Sequence, residues 1–138
     1  MSDERVAHCA CGNLEARTSG EPVIVSVCHC FDCQRRTGSA FGAGAFFEKS
    51  AVHLAHVRSV PKTFTRTVPA GRTVTNHFCG DCGGTLYWEA EGRPGLVGIS
   101  LGMFDLTRGP PLPPPARSVY EDRKHPWFSF DVTLEHMA

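Results

Sequence analysis

The sequence predicts an all-β, mainly antiparallel domain with little helix, and three observations carry that expectation. Short apolar alternations recur along the chain, glycine and proline turn signals fall between them, and all seven cysteines stand in three short groups. At 138 residues, with 41% hydrophobic and 20% charged residues, the chain has the length of one domain and enough apolar side chains for a small core. Residues 1–138 are therefore read as a single unit.

The alternating stretches are Val23 to Val27, Ala43 to Phe47, Thr63 to Val68, Arg72 to Phe78, Thr85 to Glu89 and Leu96 to Leu101. A period of two over about five residues puts one row of side chains on a core face and the next on the opposite face. Turn residues at Gly12-Asn13, Ser19-Gly20, Pro69-Ala70-Gly71, Gly83-Gly84 and Arg93-Pro94-Gly95 are close enough together for hairpins or a meander. One short helix is expected at Phe31 to Thr37, stopped by Gly38. The segment 109–115 holds five prolines and cannot pair in a sheet, so it reads as a stiff, extended connection. Beyond it, in the closing segment 116–138, Val119-Tyr120 and Trp127 to Phe130 are apolar enough to return to the core as a final strand or edge.

Charge excludes several partners. Fourteen basic residues balance fourteen acidic ones, which argues against a protein that neutralises many phosphates, so no nucleic acid is expected. The N-terminus opens acidic and lacks the apolar stretch of a secretory signal. The longest apolar run, 40–47, falls far short of the roughly 18 residues of a membrane span. A cytoplasmic chain with no membrane partner is the expectation. There, an odd number of cysteines points to metal or thiol chemistry rather than disulfides.

The groups are Cys9-Ala10-Cys11-Gly12, Cys28-His29-Cys30-Phe31-Asp32-Cys33 and Cys79-Gly80-Asp81-Cys82-Gly83-Gly84. Zinc takes four tetrahedral ligands, and C-x-C or C-x-x-C spacing lets one tight turn present two sulfurs to one ion. Spacing leaves two partitions open. In one, Cys9, Cys11, Cys79 and Cys82 close a structural site, and Cys28, Cys30 and Cys33 form a second site with an open position. In the other, Cys30 and Cys33 join Cys79 and Cys82 in a zinc ribbon with three spare thiols. The first is favoured because it uses every sulfur and keeps C-x-C-x-x-C together.

Those residues resemble a known family, the zinc proteins grouped as glutathione-dependent formaldehyde-activating enzymes together with centromere protein V. The resemblance runs through Cys9 to Gly12, Val27-Cys28-His29-Cys30-Phe31-Asp32-Cys33-Gln34-Arg35-Arg36-Thr37-Gly38-Ser39-Ala40-Phe41 and Phe78 to Gly84. It extends to Gly98 to Leu106 and to the closing element Ser118 to Trp127, where Ser118 stands in a place that often holds His. The resemblance implies a β-tent, Mss4-like fold. It implies two zinc ions per chain: a structural one on Cys9, Cys11, Cys79 and Cys82, and a functional one on Cys28, Cys30 and Cys33. The implied activity is that of a carbon-sulfur lyase joining a small thiol, glutathione, to a small carbonyl, formaldehyde.

The donor sets fit that division. Zinc on four thiolates has no vacant position and contributes folding free energy, about 10 to 16 kcal/mol in small zinc peptides. Three anionic sulfurs make zinc a weak generator of hydroxide but suit it to binding a thiol and lowering its pKa. Arg35 and Arg36 are candidates for pairing with a glutathione carboxylate, against the alternative of solvated charges on a short turn. His29 should point away from its flanking cysteines, whereas His77 could face the same side as Cys79 as a proton shuttle or fourth ligand, though a packed strand histidine is favoured. Asp32 and Asp81 read as turn formers. Phe41, Phe46, Phe47, Phe78, Tyr87, Trp88, Phe104 and Trp127 read as core or pocket wall. The competing reading is a non-catalytic binding module or scaffold with both zincs structural, which predicts no pocket beside the second cluster.

Overall fold

The computed structural model describes residues 3–138. Among the described residues eleven strands form two sheets. The smaller has the order β1 (Arg5–His8), β2 (Leu14–Thr18), β5 (Val52–His56), all antiparallel. The larger runs β11 (Glu135–His136), β10 (Arg117–Val119), β3 (Ile24–Cys28), β4 (Gly42–Glu48), β9 (Leu96–Ser100), β8 (Thr85–Ala90), β7 (Thr73–Phe78), β6 (Lys62–Thr67). Its pairings are antiparallel except at β10, which lies parallel to both β3 and β11. The single α-helix among the described residues, α1 (Phe31–Thr37), ends on Gly38 in the left-handed conformation at φ 63°, as a glycine stop requires.

Register sorts the side chains of the large sheet into two rows. Val25, Ala45, Ile99 and Tyr87 lie side by side across β3, β4, β9 and β8, and face the small sheet. Together with Ala7, Leu14, Ala16, Phe47, Leu86 and Val97 they make the buried core. The neighbouring row, Phe46, Gly98, Trp88 and Asn76, faces the other way. On that face the Trp88 ring lies over Gly44 and Gly98, where a Cβ would come within about 2.5 Å of its atoms. The two glycines therefore make room for an indole flat against the strands.

The second face is concave. The edge strand β6 curls back until Arg66 meets Asp32 of α1 at 3.2 Å, so the two flanks of the sheet close over a trough. The proline segment 109–115 is held by Arg5, which is buried and donates to the carbonyls of Pro110 (3.1 Å) and Pro111 (2.9 Å). It also bonds the carbonyl of Gly20 (2.9 Å) and the carboxylate of Glu21 (3.1 Å). After it, Val119 pairs with Cys28, and Phe128 and Phe130 pack with Phe41 around the fully buried ring of His29. Trp127 departs from the expected core or pocket wall: it is 72% exposed and lies against His125.

Candidate metal centres and the adjoining cavity

Two turns build the first cluster. Cys9 and Cys11 sit in the β1–β2 connection, where the Gly12 amide donates to the Cys9 carbonyl, and Cys79 and Cys82 sit in the β7–β8 connection, where Gly83 does the same to Cys79. Gly12 and Gly83 both take φ 79°, so each turn needs the residue without a Cβ. Cys9 and Cys79 are both buried in the one core cluster, with Leu14 of β2 and Leu86 of β8, so the two turns meet over the core. The four sulfurs all lie within 4.8 Å of one another, with Cys9 to Cys11 at 3.8 Å and Cys11 to Cys79 at 3.6 Å. A tetrahedral ion with metal–sulfur bonds of about 2.3 Å places its sulfurs about 3.8 Å apart, so the donor set fits zinc.

Backbone amides and side chains aim at these sulfurs. The amides of Leu14 and Asp81 donate to Cys9 (3.2 Å) and Cys79 (3.4 Å), and the Arg58 guanidinium reaches Cys11 at 3.1 Å while pairing with Asp81. Amides of Gly84 and Cys11 hold the Cys82 thiol down to about 6, whereas burial pushes Cys9 up to about 11. Asp81 thus anchors Arg58 beside a sulfur.

The second cluster spans the end of β3 and the start of α1. Cys28 is the last residue of β3, Cys30 caps α1, and Cys33 lies in its first turn, with the three sulfurs within 4.8 Å of one another. The Cys33 amide donates to the Cys30 sulfur at 3.3 Å. Hydrogen bonds from the Cys28 and Cys33 thiols, helped by that amide and by nearby Arg66, lower Cys30 to about 2, while Cys28 rises as the proton-bearing partner. One thiolate is thus held at the helix start. The donor chemistry fits a soft divalent metal with three protein ligands and one further position.

This cluster opens into a cavity of about 510 Å³ on the concave face of the large sheet. Its aromatic wall includes Phe31, Phe46, Trp88 and Tyr120, and Tyr120 is the non-glycine residue with a left-handed backbone among the described residues, at φ 56°. Five arginines line the same cavity, Arg36, Arg66, Arg72, Arg93 and Arg123, against one carboxylate, Asp32. Arg36 stacks over Trp88 at 4.4 Å and reaches the Ser100 hydroxyl. Arg35 is exposed over Phe31, at 5.9 Å, and is not part of the lining.

The remaining sequence candidates fall elsewhere. His29 turns away from the sulfurs and its Nε2 lies 2.9 Å from the Ser118 hydroxyl, which donates to Glu121. His77 stacks on Tyr87 at 4.2 Å on the face opposite the cavity, beside Glu89. Sequence reading missed Arg66, Arg72, Arg93 and Arg123, which reach the cavity from separate elements and share no motif. The lone signal was at two turns: Arg72 follows Pro69-Ala70-Gly71 and Arg93 opens Arg93-Pro94-Gly95.

A mostly antiparallel β protein with one four-sulfur and one three-sulfur cluster, each able to hold a metal ion and the latter opening into a cavity, is of a cysteine-rich class. More narrowly, the chain belongs to the glutathione-dependent formaldehyde-activating enzyme family, whose sequence model matches residues 4–123. Its fold is similar to that of a protein from Rhodobacter sphaeroides known from a crystal structure, with 17% identity and a TM-score of 0.59, over 75% of this chain and 90% of that one. No curated protein sequence matches the chain. Among the described residues no helix is long and apolar enough to cross a membrane.

Proposed function

We propose that the chain is a two-zinc carbon-sulfur lyase of the S-(hydroxymethyl)glutathione synthase type, acting in the cytoplasm on a small thiol such as glutathione and a small carbonyl such as formaldehyde. The observation that carries this reading is the cavity beside the three-sulfur cluster, because a purely structural site has no use for adjoining open space. Cys9, Cys11, Cys79 and Cys82 would hold the structural ion, and Cys28, Cys30 and Cys33 the working one. A zinc ion held by those three thiolates would supply the Lewis acidity that lowers a substrate thiol's pKa toward neutral.

The chain's own groups do the rest. The Cys33 amide fixes the Cys30 sulfur, and Arg66 and Arg36 add positive charge near Cys30 and Cys33, which favours an incoming anion. Aromatic rings on the cavity wall reduce water around the reactants. In the forward direction the thiolate sulfur attacks the carbonyl carbon, a C–S bond forms, and the π pair of C=O moves to oxygen. The proton lost by sulfur ends on that oxygen, so the net change is one S–H bond and the π bond of C=O replaced by one C–S and one O–H bond, the C–O single bond being kept. Of the two adjacent arginines, we assign Arg36 the substrate side.

The test is exchange spectroscopy by nuclear magnetic resonance on glutathione and formaldehyde, with zinc per chain measured on the same sample. Acceleration above the uncatalysed rate, lost in Cys30→Ser while the fold persists, is the expected result. Two bound zincs with no acceleration would leave the scaffold reading in its place.

A further inference from the structure

The cavity is basic in a chain whose formal charge is zero. Three of its arginines are answered locally. Arg66 pairs with Asp32 at 3.2 Å, Arg123 lies 3.9 Å from Asp122, and Arg72 shares its field with Glu91. Arg36 and Arg93 differ from Arg66 and Arg123: among the described residues neither makes an ion pair with a carboxylate. Each rests instead on an aromatic ring, Arg36 over Trp88 at 4.4 Å and Arg93 over Phe46 at 4.6 Å. The two rings meet edge to face at 5.9 Å, so they form one continuous shelf.

That shelf is built with care. Trp88 fits only because Gly44 and Gly98 lack a Cβ, and Phe46 lies within 2.9 Å of where a Gly98 Cβ would be. Half-burying a guanidinium without an anion costs hydration, and a π face returns only part of it. Two such cations in one wall, above a cluster that presents sulfur, leave room for two negative charges on one ligand.

We infer that Arg36 and Arg93, held on the Trp88–Phe46 shelf, are specificity-determining residues that select a thiol bearing two carboxylates over uncharged thiols. The inference rests on the thiol-adduct reading for the identity of the ligand, but it concerns recognition and not turnover. Arg36 lies beside Cys33 and serves the carboxylate nearer the sulfur, and Arg93, on the β8–β9 connection, serves the more distant one.

Binding of S-methylglutathione to the zinc-loaded chain tests this without any reaction at sulfur, with the diethyl ester of the same molecule, which keeps the ammonium but lacks both carboxylates, as the comparison probe. By calorimetry the acid should bind at least about tenfold tighter than the ester. Arg93→Met, which keeps the stem on Phe46, should lose about tenfold for the acid and nothing for the ester, and Arg35→Gln should lose nothing. Raising ionic strength from about 0.05 to about 0.5 M should weaken the acid alone in the wild type, a readout that needs no variant. Equal binding of acid and ester, or a salt-insensitive acid, would overturn the inference even in an active enzyme. Discrimination between acid and ester without turnover would instead uphold it while removing the lyase.

Discussion

At single positions, the structure shows how tightly neighbouring roles are packed. His77 is held below its ordinary pKa because burial against Tyr87 outweighs the attraction of Glu89. A histidine kept neutral by folding binds its proton more readily in the unfolded chain, so stability falls as pH drops below about 6.5 toward the lower folded value. His77→Phe keeps the stacked ring and should flatten that slope, so that urea titrations show a smaller stability difference between pH 5.5 and pH 7 than in the wild type. Gly98→Ala should cost about 1 to 3 kcal/mol by driving a methyl into Trp88, visible as a shifted tryptophan emission together with a lower denaturation midpoint. Such positions were only partly readable from sequence. The cysteines announced themselves by spacing, while Gly98 looked like an ordinary strand glycine until the partner ring was in place.

Elements divide in the same way. The expected helix at Phe31 to Thr37 agrees with α1 in its bounds, because a left-handed glycine after a cysteine cap is a local signal. Strands β3, β4, β6, β7, β8 and β9 follow the alternations, within a residue or two at their ends. By contrast β1, β2 and β5 escaped notice: β5 is exposed over most of its length, and β2 alternates apolar residues with Glu15 and Arg17, which pair with each other at 3.2 Å. β1 and β5 take their strand character from pairing, whereas β2 carries the period-two alternation of a strand and was overlooked. The proline segment was legible as unpaired chain, but not its anchor. Prolines lack N–H groups yet keep carbonyls that must be satisfied when covered, and Arg5 satisfies two of them from over a hundred residues away. Arg5→Met should destabilise the fold by about 3 kcal/mol, since several buried carbonyls lose their donor at once, and should raise proteolytic cleavage within 109–115.

For the molecule as a whole, the two clusters occupy different mechanical positions. The four-sulfur cluster joins the small sheet to the far hairpin of the large one, whereas the three-sulfur cluster lies within one β3–α1 corner. Zinc at the first site should therefore contribute folding free energy on the order of 10 kcal/mol. Cys82→Ser should lose ordered structure by circular dichroism along with its metal, and Cys30→Ser should keep the sheets and give up one zinc per chain. The opposite ranking would reverse the assignment of structural and working ions.

The span between Cys11 and Cys79 also sets a schedule for the newborn chain. These sulfurs are 68 residues apart. At ribosomal speeds of 5 to 20 residues per second, the first pair of thiols waits roughly 3 to 14 s for the second. Through that interval the amino-terminal hairpin lacks the second pair of thiols that would complete a metal site, and its own thiols are open to oxidants and to stray metal ions. Cells making this protein under oxidative stress or zinc shortage should accumulate nascent or newly released chains damaged at Cys9 and Cys11, while copies already folded keep those positions reduced.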